Sequence, residues 1–327
     1  MILLCMQIVN IKYKDLSMSK GKPIIAGAGL ACMDYFVVGP QIEWGDLTFC
    51  TDNYSQGGGP CATGMVAAKR CGADVIFYTF VGDDSTGKEI VSELQGEGID
   101  CHIPTIENAN SAFSYIYINP ENGDRTIFHR PAKKIYDMIE LGSYFDYSPI
   151  DKADILLIDD FYIHFTCAAA QYAHSKGIPV CADLKPNDIN KELIKYTDIL
   201  IAPNYYPNEL GCPDEPEKAL EVMHNMGIKI AVVTRGSKGW IASDENKIYK
   251  GNAFKVKAVD TNGAGDTFHG AFVNGWARGF ELDRCCDFAS AVAALKCTKT
   301  GGRSGIPNYD DTITFLKERS EMDWTKY

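Results

Sequence analysis

Asp260-Thr261-Asn262-Gly263-Ala264-Gly265-Asp266-Thr267 sets two carboxylates six residues apart around a Gly-Ala-Gly turn. A small-residue helical pattern follows at once in Phe268, Gly270, Ala271, Phe272 and Val273. A tight glycine turn that opens a helix directs several backbone N–H groups at one point, and the helix dipole adds positive potential there. The run therefore predicts an anion hole. Asp266 falls in the first turn of the helix, where a carboxylate faces whatever enters the hole. An anion hole beside a carboxylate base is what phosphoryl transfer to a hydroxyl requires. Taken alone, the run also reads as a capped helix whose Gly-rich turn only saves space.

Outward from this run, short β-branched segments alternate with helical patterns. Strands are expected at residues 23–27, 75–80, 155–158, 179–182, 199–201 and 230–234, and helices at 61–70, 87–95, 168–176, 216–226 and 265–278. Apolar strands separated by helices predict an α/β fold of βαβ units, with a mostly parallel sheet covered on both faces. Two stretches break the alternation. Residues 35–56 are extended, aromatic and turn-rich, and residues 111–130 read as a hairpin turning at Asn119-Pro120-Glu121-Asn122-Gly123. Together they predict a small β-sheet that serves as a lid over a site, as a dimer surface or as decoration.

The chain of 327 residues suits one large α/β domain with an appendage, and 46% hydrophobic residues allow a full core. A net charge of −11 argues against non-specific binding to nucleic acid or to an anionic membrane. A phosphate site here must rest on backbone N–H groups and a few selected cations. No apolar run reaches the length of a membrane span. Residues 1–10 lack a basic start and a small-residue cleavage site, which argues against a secretory signal. Residues 1–17 read as a non-core extension of the kind an upstream start codon produces, with the domain occupying 18–327. The twelve cysteines sit mostly singly in apolar patterns, without a C-x-x-C pair, and read as reduced thiols of a cytoplasmic protein.

Other glycine-rich segments have to be weighed. Gly82-Asp83-Asp84-Ser85-Thr86-Gly87-Lys88-Glu89 has P-loop spacing, but Glu89 stands where a hydroxyl is needed, and two aspartates would face the phosphates. It reads instead as a strand end, a turn and a capped helix start. Gly27-Ala28-Gly29-Leu30-Ala31-Cys32 lacks the third glycine of a dinucleotide fingerprint and runs into an extended segment. What remains there is Asp34, just past the first strand, an acceptor suited to sugar hydroxyls or a solvated turn aspartate. Gly57, Gly58 and Gly59 let a ligand lie on bare backbone or form a hinge. Gly-rich loops at 234–239 and 298–305 complete the set. His269 reads as a packing or supporting group one turn inside the key helix. His129, Arg130, Lys133 and Lys134 form a basic cluster after the hairpin, suited to an anionic sugar or simply solvated.

Residues 260–266 resemble the Asp-Thr-x-Gly-Ala-Gly-Asp signature of the ribokinase-like (PfkB) carbohydrate kinases. Residues 57–67 resemble that family's N-terminal glycine signature. The resemblance spans roughly residues 22–320, and the segment 288–307 is most similar to a branch that includes bacterial sulfofructose kinase. It implies a ribokinase-like three-layer α/β/α fold with a β-sheet lid, and an ATP-dependent sugar kinase, a phosphotransferase with an alcohol acceptor. It implies Asp266 as the base and Asn262, Gly263, Ala264 and Gly265 as the anion hole. Asp34, Gly58 and Gly59 would hold the sugar, with Thr63 and Arg130 as further substrate candidates. Thr234, Gly236, Gly239 and Asn262 would contact ATP, and Asn204 would sit near the phosphates and Mg²⁺. A monovalent-cation loop, with K⁺ as the candidate ion, would use Asp260 and Asn262 with backbone carbonyls near Lys296, Lys299 and Gly301. Pairing of lid strands into a homodimer is also implied.

Three positions depart from the family pattern. Thr63 replaces the asparagine that closes the first signature. The Asn-x-x-Glu motif reads Asn204-Tyr205-Tyr206-Pro207, with Glu209 displaced by two. Gly305 stands where ribokinase carries a serine. Two other functions stay open: a nucleoside kinase whose base stacks on Tyr35, Phe36 or Tyr115, and a catalytically silent binding or regulatory protein of the same fold. Retention of both Asp260 and Asp266 disfavours the second.

Overall fold

The computed structural model describes residues 22–42, 44–121, 125–186 and 190–327. The expected extension at 1–17 and the turn residues Asn122 and Gly123 lie outside them. A nine-stranded sheet runs in the order Ile248–Gly251, Trp240–Ser243, Ile230–Thr234, Ile199–Ala202, Val180–Asp183, Ile155–Asp159, Ile24–Ala28, Asp74–Tyr78 and Asp100–His102. All neighbouring pairs are parallel except the two made by Trp240–Ser243, which are antiparallel. The expected mostly parallel α/β sheet is therefore present. Three strands escaped the sequence: Asp100–His102, Trp240–Ser243 and Ile248–Gly251. The first is too short for a pattern, the second is four buried residues without alternation, and the third is a short edge strand.

The apolar strands bury both faces, as parallel sheets covered by crossover helices do. One face packs on Pro60–Arg70, Ala264–Ala277 and Leu282–Lys296, with Met65, Phe272 and Phe288 in its core. The other packs on Ile163–Ser175 and Pro216–Asn225, with Phe165, Leu220 and Met223. Strand order reverses between Ile24–Ala28 and Ile155–Asp159, because the chain builds away from the first strand on both sides. Open α/β sheets bind ligands at the carboxyl ends of strands beside such a reversal.

The lid is a separate sheet ordered Asp52–Gly58, Cys32–Val38, Phe113–Ile118, Arg125–Arg130. It begins earlier than residue 35, because the chain turns straight from the first strand into the second. Asp34 thus lies inside a lid strand and not in a turn. Gly57 and Gly58 are likewise the last residues of a lid strand. The P-loop look-alike folds as the expected strand end, turn and capped helix start. Asp84 caps the helix Ser85–Gly96 by accepting from Gly87 N at 2.9 Å. The eleven cysteines among the described residues are free thiols. Among the described residues, no helix is long and apolar enough to cross a membrane.

Candidate active site between the lid and the strand ends

Gly263 caps the helix Ala264–Ala277 at φ 72°, a backbone region glycine enters without strain. A Cβ there would also lie 2.8 Å from Gly302 O, so the 301–302 loop packs directly on the turn. Thr267 N donates to Gly263 O at 2.9 Å and closes the first helical turn. The N–H groups ahead of it lack intrahelical acceptors, as at any helix start. A Cβ added at Gly265 would meet nothing within 4 Å, so the turn opens onto free space. Asp266 stands half-buried in this turn. Burial pushes its pKa up to about 6, the Asp183 carboxylate pushes the same way, and His269 opposes them.

His269 ties the turn to the sheet. Its Nδ1 lies 2.8 Å from Gly265 O and its Nε2 3.0 Å from Ile201 O. Asp183 Oδ1, 3.9 Å from Nε2, faces that ring. The expectation of a supporting role for His269 thus acquires a geometry.

Toward the lid, Asp34 sits against bare backbone: a Cβ on Gly58 would fall 2.2 Å from Asp34 Oδ2. The Cys32 thiol donates to Asp34 Oδ1 at 3.6 Å, and the Ser114 hydroxyl bonds to the same carboxylate. Burial raises the Asp34 pKa, while these donors and Arg303 pull it down. Ser114 Oγ is also 3.2 Å from His129 Nδ1. Ser114 has one proton, and giving it to Asp34 leaves the hydroxyl to accept from His129. Gln56, Asp34, Ser114 and His129 are paired positions across the four lid strands and so share one face.

Arg303 joins the lid to the signature turn and was not singled out from the sequence. It is 1% exposed. Its Nη2 donates to Gly58 O at 2.8 Å, its Nε to Thr63 Oγ1 at 3.2 Å, and its Nη1 lies 3.4 Å from Glu93 Oε1. Its own N–H bonds Gln56 Oε1 at 2.8 Å. Its charge acts on Asp34 and Asp266 alike. Thr63 is therefore a buried partner of Arg303 behind the glycine pair. The signal in the sequence was a lone arginine inside a Gly-rich loop.

Arg130 is not brought to Asp34. It pairs with Phe113, one register step from Ser114, and so points to the opposite lid face with its guanidinium 5.3 Å from the Phe113 ring. Lys133 pairs with Asp137 at 2.6 Å, and Lys134 donates to Glu107 O at 2.6 Å. Of the basic cluster, only His129 stands on the Asp34 face. Tyr35 and Tyr115 lie on the Arg130 face, while Phe36 is buried and stacked on Tyr54 at 4.5 Å. None of the three lid aromatics is free to stack on a base beside Asp34.

Asp159 was also missed, hidden as one more residue at the end of an apolar run. Its Oδ2 accepts from Leu30 N at 2.9 Å and Cys61 N at 3.1 Å, and its Oδ1 from Phe161 N at 3.0 Å. It thereby pins the start of the lid and the helix Pro60–Arg70 to the strand reversal.

On the other flank, Asn204 is exposed just beyond Ile199–Ala202. Thr234 ends its strand and donates from Oγ1 to Ala202 O at 3.3 Å. Gly236 and Gly239 take φ 56° and 82° in the turn that follows. These residues line adjacent strand ends, and His269 links that edge to the signature helix.

The cation loop departs from expectation. The Asp260 carboxylate accepts from Asn262 N and Gly301 N, each at 2.8 Å. The carbonyls of Asp260 and Asn262 accept from the ammonium of Lys296, at 3.0 Å for Asp260. The Asp260 carboxylate and the two carbonyls expected to face an ion thus already have partners within the chain.

Comparison with known proteins supplies the wider setting. The family description "pfkB family carbohydrate kinase" matches residues 33–308. The ribokinase of Haemophilus influenzae is 32% identical over 295 residues, covering 87% of this chain and 95% of that protein. A ribokinase structure from Thermotoga maritima has TM-score 0.78 at 24% identity, covering 90% of this chain and 99% of its own. The Arabidopsis thaliana ribokinase complexed with ribose and ATP has TM-score 0.78 at 22% identity, covering 91% and 99%.

Proposed function

The chain belongs to the pfkB family of carbohydrate kinases, and from that premise we propose that it transfers the γ-phosphoryl group of ATP to a primary hydroxyl of a sugar held between the lid and the strand ends. The observation that carries this is Asp266, desolvated beside an open helix N-terminus with its pKa raised to about 6. A base of that strength is ionised at neutral pH and still takes a proton in the transition state.

Asp34, Gly58 and Gly59 hold sugar hydroxyls, with Arg303 fixing the Gly58 carbonyl and the charge around Asp34. Asp266 accepts the hydroxyl proton as the new O–P bond forms. The bond from the γ-phosphorus to the bridging oxygen breaks, and ADP leaves. In the 262–265 turn, the N–H groups of Gly263 and Gly265 receive charge that builds on the phosphoryl oxygens, because Asn262 N is held by the Asp260 carboxylate and Ala264 N by Thr261 O. Thr234, Gly236, Gly239 and Asn204 contact the nucleotide.

Mg²⁺ takes few protein ligands and is completed by water and phosphate oxygens. Asp183, at the end of its strand, and Glu209, in the short helix after Asn204, are carboxylates suited to hold it, and both act electrostatically on Tyr205. When bound, it would neutralise phosphate charge. Lid strands carrying exposed Tyr115, Ile127 and Phe128, and the segment with Trp44, Leu47 and Phe49, favour a homodimer formed through the lid.

Ribokinase relatives favour a neutral pentose over the sulfonated sugar suggested by residues 288–307. His129 in the Asp34 row supports an anionic sugar as the second reading. An ADP-release assay across neutral ketoses, aldoses, nucleosides and anionic analogues tests all of these. ADP release with no sugar above the background with water would sink the kinase assignment. Preference for a nucleoside would replace the sugar.

A further inference from the structure

We propose that Lys296 is a built-in monovalent cation: its ammonium group occupies the position beneath the anion hole that the family resemblance assigns to K⁺, so this kinase needs no such ion. Lys296 is the last residue of the helix Leu282–Lys296 and is completely buried, at 0% exposure. A long cationic side chain does not enter an interior unless its charge is met. Here it is met by the Asp260 carbonyl at 3.0 Å and the Asn262 carbonyl. These are two residues named by the resemblance as cation ligands, and both are held by one lysine.

The Asp260 side chain is engaged as well. Both Asp260 carboxylate oxygens already accept backbone N–H groups, from Asn262 and Gly301. Gly305 brings no hydroxyl, and its backbone runs so close that a Cβ would lie 2.2 Å from Lys296 O. A K⁺ placed about 4 Å from the ammonium would also face like-charge repulsion weakening its binding by roughly a thousandfold. Burial lowers the Lys296 pKa and Arg125 pushes the same way, while the Asp260 and Asp266 carboxylates favour its charged form.

The consequence for the site follows from peptide geometry. In a trans peptide, the C=O of one residue and the N–H of the next point in opposite directions. Drawing the Asn262 carbonyl toward Lys296 therefore turns the Gly263 N–H the other way, toward the opening of the turn. Drawing the Asp260 carbonyl inward does the same for the Thr261 N–H. Lys296 is thus a positioning residue that orients anion-hole donors without touching substrate. The inference rests on the kinase reading of the signature turn, but the cation position can be tested apart from it.

The test compares wild type with Lys296→Met and Lys296→Ala in tetramethylammonium, K⁺ and NH₄⁺ chlorides at about 100 mM, by thermal melting and by phosphoryl transfer. Wild type should melt at the same temperature and turn over within about twofold in all three salts. The variants should lose about tenfold or more in kcat in tetramethylammonium, with KM for sugar little changed, because loosened donors act on the transition state. K⁺ or NH₄⁺ should raise their melting temperature and return part of the lost rate, since a small ion binds the vacated carbonyls of the folded form. Wild type activated tenfold by K⁺ would overturn the proposal. So would a variant with full rate and wild-type melting temperature in tetramethylammonium. If neither variant folds, the wild-type salt series still decides. If no sugar is phosphorylated at all, the kinase reading fails while the melting series still reports on Lys296.

Discussion

The two flanks of the signature turn are built differently. On the lid flank, charged and polar side chains are buried and bonded to one another: Asp34 with Cys32 and Ser114, Arg303 with Thr63, Glu93 and the Gly58 carbonyl. On the nucleotide flank, Asn204 is exposed, and Gly236 and Gly239 shape a backbone turn at positive φ. Buried, mutually satisfied side chains hold one geometry and penalise a ligand that fails to match it. A backbone turn presents groups that any nucleoside triphosphate can use. The difference teaches where specificity resides: the acceptor is selected by wired side chains and the donor by main chain.

The largest effect is expected at the residue between the flanks. Asp266→Asn should lower kcat by about 10²–10⁴-fold while leaving ATP affinity nearly unchanged. Near-normal kcat would remove the base assignment. The wild-type rate should rise with pH through about 6 as Asp266 ionises. The sign for stability is opposite. A carboxyl whose folded pKa is raised from 3.8 to about 6 binds more protons folded than unfolded, so stability falls as pH rises across that interval. The cost above the interval is about 3 kcal/mol at most. Asp266→Asn should therefore melt higher than wild type at pH 7.5, and the gain should vanish near pH 4. A gain independent of pH would refute the desolvation argument.

Next comes the lid flank itself. Arg303→Met leaves Glu93 without its charged partner and frees the Gly58 carbonyl and the Thr63 hydroxyl. Breaking a buried pair on one side costs about 3–5 kcal/mol. Denaturant unfolding should register that loss, and KM for sugar should rise more than KM for ATP. Equal rises would mean that the two flanks are not separately wired.

The nucleotide flank should respond more weakly. Asn204→Ala removes an exposed side chain, so stability should stay within about 0.5 kcal/mol. ATP binding should weaken by about three- to tenfold, the worth of one hydrogen bond, with sugar KM unaffected. A stability loss as large as that of Arg303→Met would erase the contrast between the flanks.

How much of this was legible follows from the range of the interactions. The parallel strands announced themselves as apolar runs, and the signature turn as glycines before a small-residue helix, because both are local patterns. Asp34 was found, but the lid was expected to begin only at residue 35, since a strand half facing the site mixes polar and apolar residues without clear alternation. Arg303 and Asp159 escaped notice, and Lys296 was named only for its backbone, because their side-chain partners are distant in sequence: Arg303 reaches Gly58 across 245 positions, and Asp159 reaches Leu30 across 129. A buried cation looks the same in sequence as a solvated one. Lys296 in particular closes an ordinary helix, where lysines are common for dipole reasons alone.

The smallest effect is expected at Arg130, and it separates the two faces of the lid. Side chains alternate along a strand, so Arg130 and His129 necessarily face opposite ways. His129 bonds Ser114 in the Asp34 row, while Arg130 lies over Phe113 on the other face. Arg130→Ala should then cost only about 0.5–1 kcal/mol of exposed cation–π contact. Its KM should change by less than about twofold for neutral and anionic sugars alike. His129→Ala removes a donor to Ser114 and so loosens the hydroxyl that supports Asp34. It should raise KM for every sugar, by about fivefold for the loss of one hydrogen bond. If His129 instead meets an anionic group on the substrate, the rise should be several-fold larger for the anionic sugar, because charge-assisted hydrogen bonds are roughly twice as strong. An Arg130 effect confined to anionic sugars would place the anion on the far lid face and break the register on which this assignment depends.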